Sequence, residues 1–236
     1  MFQTDPFSLI VLFVGLSLMP FVAMVATSYL KIVVVMSLVR NALGIQSIPP
    51  NMVINALAMI LTLYIMAPMA SESWNIAKTE LAKAQKSAAS AATAAASGQQ
   101  PTTRSFFETD AIAKAAEPFR TFLSTHTSDR ERAFFVSTAE RLWAKNEDEP
   151  ANVDPESFYI LIPSFCVSEL TKAFQIGFLV YLPFIAIDII VSNILLAMGM
   201  MMVSPVTISL PFKLLLFVMV DGWTLLIQGL IRGYVI

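Results

Sequence analysis

Seven ionisable side chains interrupt otherwise apolar stretches of this chain: Lys31, Arg40, Glu169, Lys172, Asp188, Lys213 and Asp221. A charge facing hydrocarbon costs about 2.5–3.5 kcal/mol or more, so each must face protein or water. Two chemistries meet that requirement. One is a proton or ion path that uses Asp188 and Asp221 as carriers, as in a secondary transporter or proton channel. The other is pairing between helices and between subunits, for which Glu169 and Lys172 stand at i,i+3 spacing. The single histidine, His126, lies among Ser124, Thr125 and Thr127 and reads as a solvated side chain, so no imidazole relay accompanies the carboxylates. One cysteine, Cys166, and one histidine leave no intrachain disulfide and no Cys/His metal site. No Gly-x-Ser-x-Gly, His-Glu-x-x-His or glycine-rich phosphate loop occurs. Neither enzymatic catalysis nor a cofactor is expected.

A second group of residues points to a mechanical role. Met198, Met200, Met201 and Met202 crowd around Gly199 inside an uncharged run from Ile189 to Phe212. That run is long enough to cross a bilayer. Gly199, Pro205 and Pro211 punctuate it, and Pro205 biases Ser204 away from helical geometry, so a turn is expected near Met202 to Pro205. Methionine is a common gap-filler, but four flexible thioethers beside a glycine could also form a deformable apolar gasket. A bare loop at membrane depth is tolerated only when it is buried in protein or lines a cavity. An apolar constriction follows as the expectation.

The elements that must carry these residues are apolar helices. Of 236 residues, 56% are hydrophobic and 14% charged, against about 25% charged in ordinary soluble domains, and the mean hydropathy is +0.70. Net charge is −2 with a pI near 5.4, and no basic cluster offers a nucleic-acid footprint. Lipid is an expected partner and nucleic acid is not. Residues 1–70 hold two apolar segments, Phe7 to Tyr29, with Pro20 as an expected kink, and Met52 to Ala70. Between them lie a helix ending near Gly44 and a rigid turn at Ile48-Pro49-Pro50-Asn51. No positive charge precedes the first segment, which reads as a retained membrane helix. Residues 71–157 form a polar insert with 10 of the 15 basic and 13 of the 17 acidic side chains. Within it Ala82 to Ser97 reads as a mobile linker with nascent helix at most. Phe106 to Leu123 and Arg130 to Trp143 read as amphipathic helices whose Phe119, Phe122, Phe134 and Phe135 faces meet one another or adjacent copies. Residues 158–236 hold two further apolar blocks, broken at Pro183, Pro205 and Pro211, with a last helix opening at Pro211. Basic Lys31 and Arg40 place residues 31–51 in the cytoplasm and the insert outside, which in a bacterium is the periplasm.

Pro163 to Phe178, PSFCVSELTKAFQIGF, closely resembles the signature of the FliP/SctR family of type III secretion export-gate proteins. Lys31 to Asn51, Leu182 to Pro205 and Asp221-Gly222-Trp223 agree with it, so the resemblance covers about two-thirds of the chain, the insert excepted. Ser164 departs from the usual alanine, a small-for-small change. Arg40-Asn41-Ala42-Leu43-Gly44 is similar to the virulence branch rather than the flagellar one. The resemblance implies an all-α membrane-associated fold of hydrophobic hairpins with a small helical periplasmic insert. It implies about five copies joined to two smaller hydrophobic export-gate subunits in a helical, conical pore at the core of the injectisome. That pore would sit with other export-apparatus and basal-body proteins in the bacterial inner membrane and pass unfolded polypeptide. It further implies that Met198, Gly199, Met200, Met201 and Met202 belong to a loop that closes the pore. The assembled gate would be largely lifted out of the bilayer toward the periplasm, which makes Asp188, Lys213 and the Glu169–Lys172 pair interface groups.

Overall fold

The computed structural model describes residues 6–45, 48–95, 109–144, 152–200 and 202–234. Among them every element is an α-helix: α1 Pro6–Val25, α2 Tyr29–Ala42, α3 Asn51–Ala95, α4 Thr109–His126, α5 Asp129–Leu142, α6 Phe158–Ala197, α7 Pro205–Met219 and α8 Gly222–Arg232. The architecture is therefore all-α, with α2 at its centre. Ile32, Val35, Met36, Val39 and Ala42 recur at helical spacing and are all buried, against Ile54, Ala58 and Leu61 of α3 and Ala173 and Phe184 of α6. Each fully buried Ile, Val or Met contributes about 1.5–3 kcal/mol relative to exposure. Helix α6 approaches α2 closely because Gly177 lacks a side chain. The Leu38 Cβ and Cγ lie 3.2 and 3.3 Å from where a Gly177 Cβ would sit.

The two amphipathic helices of the insert do form, but within the chain their aromatic faces pack on α6 rather than on one another. Leu123, with Phe119 and Phe122 beside it, packs from α4 onto Leu161 and Phe165 of α6 and onto Ala26 at the α1–α2 corner. Phe135, Val136 and Ala139 of α5 pack on Ile160 and Val153. Phe134 stays exposed. The longer apolar helix supplied a ready surface, and sequence spacing alone cannot say which surface that is.

Several expected breaks fall elsewhere. Helix α3 runs 45 residues, across residue 70 and through most of the alanine-rich stretch read as a linker. Alanine is the strongest helix former, so the composition that cannot build a core still extends a helix that has already been nucleated. Pro183 lies within the 40-residue α6 and Pro211 within α7, so neither ends a helix. Proline is tolerated in long apolar helices where local adjustment re-satisfies the freed carbonyl. The last helix is not continuous from Pro211 either. It opens at Pro205 and bends by 59° between α7 and α8, at Asp221 in the left-handed conformation (φ 51°). The first bend, 53°, falls at Ala26–Ser28, past Pro20. Among the described residues two helices, α3 and α6, are long and apolar enough to cross a membrane, or up to four spans if each bent pair counts as one.

Close packing at Gly177 gives a graded expectation. Gly177→Ala should be near neutral, because Leu38 can rotate its terminal methyl aside while alanine gains up to about 1 kcal/mol of helix propensity. Gly177→Leu should force α2 and α6 apart and cost about 1–3 kcal/mol. Thermal unfolding in mild detergent separates the two; equal tolerance of both would refute the close approach.

Candidate functional site

Glu169 projects from α6 into the interior and is fully buried. Both of its oxygens are occupied. Oε1 accepts from Lys172 Nζ at 3.0 Å, as the i,i+3 spacing requires. Oε2 accepts from Lys31 Nζ of α2 at 3.0 Å and from the Tyr234 hydroxyl beyond α8. The Lys31 ammonium also lies 3.6 Å from the centroid of the Tyr234 ring, a cation–π contact. Lys172 Nζ donates at 2.7 Å to the carbonyl of His126, the last residue of α4, where the helix dipole favours a cation. One carboxylate thus joins α2, α4, α6 and the C-terminal turn. Burial holds the Tyr234 phenol well above its ordinary range, and the Glu169 charge and hydrogen bond act in the same direction, so the hydroxyl remains a donor.

His126 is not solvated. It is 8% exposed, with its ring 4.5 Å from that of Phe122 and 5.1 Å from that of Tyr234. Burial depresses its pKa below the usual imidazole range, as do the Lys172 and Lys31 charges, while the Phe122 carbonyl and Glu169 act the other way. The aromatic neighbour at i−4 was the one local sign of this, and the polar residues beside it masked that sign.

A second ion pair lies further along α6. Lys213 Nζ of α7, buried, meets Asp188 Oδ2 at 2.6 Å and the Ala42 carbonyl at the end of α2 at 3.3 Å. Ser209, one turn before Lys213, donates to Asp188 Oδ1 at 2.6 Å. Ser209 was missed in the sequence, although its i,i+4 spacing to Lys213 puts both on one face. Arg40 stands apart. It donates to the Pro49 carbonyl at 3.3 Å and to the Asn51 side chain, tying down the α2–α3 turn. Asp221 is exposed at the α7–α8 turn, joined to neither ion cluster. The charged residues therefore resolve into two clusters within the chain, one turn clamp and one surface carboxylate.

Beyond the Asp188–Lys213 clamp, α6 and α7 continue as a hairpin to its turn. Gly199 takes a positive φ of 73°, its N–H bonds Leu196 O at 3.0 Å, and the Met200 N–H bonds Leu195 O at 3.0 Å. That pair of bonds is the Schellman ending, which glycine permits without steric cost. Ser204 is extended and Pro205 opens α7 at a position where its missing N–H is harmless. Met198 is 67%, Met200 42% and Met202 101% exposed; Met201 lies outside the described residues. Ile189, Ile190, Ile194, Leu196, Val206 and Phe212 are exposed along the same hairpin. The tip thus presents flexible thioethers on an apolar, two-helix arm.

A model of the FliP family matches residues 12–230. The chain is 46% identical over 236 residues to the Yop proteins translocation protein R of Yersinia pestis, covering 98% of this chain and 97% of that one. It is 43% identical over 233 residues to the virulence protein YscR of Salmonella typhimurium, covering 98% and 97%. It is 38% identical over 226 residues to the flagellar biosynthetic protein FliP of Bacillus subtilis, covering 96% and 90%.

Glu169→Gln should strand the Lys31 ammonium without a counter-ion and cost about 3–5 kcal/mol. Adding Lys31→Met to that variant should recover part of the loss, because the buried charge goes with it. Unfolding of the single and double variants in detergent checks this; a double variant no more stable than the single would mean that shape, not charge, sets the cost.

Proposed function

The chain belongs to the FliP family, and on that premise we propose that it is a component of a type III protein-export apparatus, in which it forms the wall of a pore for unfolded polypeptide. The observation that carries this reading is the α6–α7 hairpin, clamped at its base by Asp188, Ser209 and Lys213 and exposing methionines at its tip. In the most apolar windows of α3 and α6 only 22% and 17% of residues are buried within the chain, which leaves large faces for lipid or neighbouring subunits. About five copies, joined by two smaller hydrophobic subunits and held in the bacterial inner membrane, would cover those faces. Residues 71–157 would lie in the periplasm, with α4 and α5 packed on the first turns of α6. Several hairpin tips, each contributing Met198–Met202, would then converge on one axis.

Such a ring seals by physical means. A hydrated ion must shed water to pass an apolar constriction and finds no polar group in return. A polypeptide, by contrast, offers side chains around which thioethers can repack. The subunit needs no catalytic residue of its own, since other components of the machine would supply energy. The transporter reading gains nothing from the geometry: Asp188 is already neutralised by Lys213, and Asp221 sits alone on a surface turn.

Deletion of Met200 to Met202 should raise ion leakage through membranes that contain the assembled complex, while native mass spectrometry shows unchanged assembly. An unaltered leak would sink the seal. Asp188→Asn should first impair docking of the hairpin, and hence assembly; full assembly with abolished ion flux would instead favour the transporter.

A further inference from the structure

His126 Nδ1 lies 2.9 Å from the Phe122 carbonyl oxygen. A carbonyl only accepts, so Nδ1 carries the hydrogen and Nε2 is left as a lone pair. Nε2 is buried and has no hydrogen-bond partner among the described residues. The groups around the ring are Lys31 from α2, Glu169 and Lys172 from α6, and Tyr234 after α8, while Arg132 from α5 binds the carbonyl of Ser124, two residues before His126. Both oxygens of the only carboxylate among them are already taken. A proton on Nε2 would thus create a donor without an acceptor and a third cation beside Lys31 and Lys172.

We propose that His126 is a pH-sensitive latch whose protonation releases α4 and α5 from α6. The contacts that would part converge on it: Lys172 Nζ to the His126 carbonyl, the Ser128 N–H to Ser168 Oγ at 2.9 Å, and the Phe122 ring against Phe165 at 5.6 Å. The α2–α6 core has its own contacts and stays closed. In the docked state the imidazole is held below its ordinary value of 6.5, chiefly by burial. Once released into water it titrates near that value. Docking is therefore complete above about pH 6.5 and weakens as pH falls below it, by up to about tenfold per unit until the docked value is reached.

The test uses hydrogen exchange of the full chain in detergent, expressed as protection factors so that the intrinsic pH dependence of exchange cancels. Between pH 7.5 and 5.5, protection in α4 and α5 should fall by up to about tenfold while that in α2 holds. His126→Phe keeps an aromatic ring between Phe122 and Tyr234 and should abolish the fall. A flat wild-type profile, or an equal fall in His126→Phe, overturns the latch. Should that variant fail to fold, the chain's one histidine can be isotope-labelled and followed by NMR in the wild type. A titration midpoint below 6.5 that coincides with the loss of protection supports the latch, and a midpoint at 6.5 with protection unchanged refutes it.

Discussion

A single buried carboxylate organises this molecule. Placing Glu169 in the interior has a large desolvation cost, and that cost is offset only because two ammonium groups and a phenol converge on its two oxygens. Each partner arrives from a different part of the chain. Lys31 fixes the start of α2, Lys172 grips the end of α4, and Tyr234 brings the C-terminal turn back across the bundle. Docking of the polar insert, the position of the central helix and the path of the last residues are consequently aspects of one electrostatic constraint. Removing Lys31 or Glu169, both buried, takes away the closest counter-charge of the other.

Helix α6 extends that constraint to the methionine turn. At about 1.5 Å per residue its 40 residues span about 60 Å, with the Glu169 cluster near one end and the methionine turn at the other. The Asp188–Lys213 pair lies between them and fastens α7 to α6 and to the last carbonyl of α2. What projects past it is a short arm with a glycine-defined turn and apolar sides. The gasket proposed for this tip would need such a division: a base that holds the tip in place, and a tip soft enough to deform. Ion pairs supply the first property and unbranched thioethers the second.

Much of this was legible in the residues. The expected helix ending near Gly44 is α2, the i,i+3 spacing of Glu169 and Lys172 gave a pair that the structure contains, and Gly199 with Pro205 bracketed the turn. Two prolines misled, because Pro183 and Pro211 lie on exposed faces of helices long enough to absorb them. His126 misled for the opposite reason: its sequence neighbours are polar, yet its spatial neighbours are Phe122 and Tyr234.

The sequence by itself determined the class of the protein, its membrane character and its family, because these rest on composition and on local strings of residues. The tertiary structure alone decided that Lys31 meets Glu169 and Lys213 meets Asp188, that the insert's aromatic faces close on α6, and that Tyr234 completes a cluster 65 residues from Glu169 along the chain. Charge pairing and apolar burial carry no directional code in the sequence. Their partners are chosen only when the packed chain removes water from both sides at once.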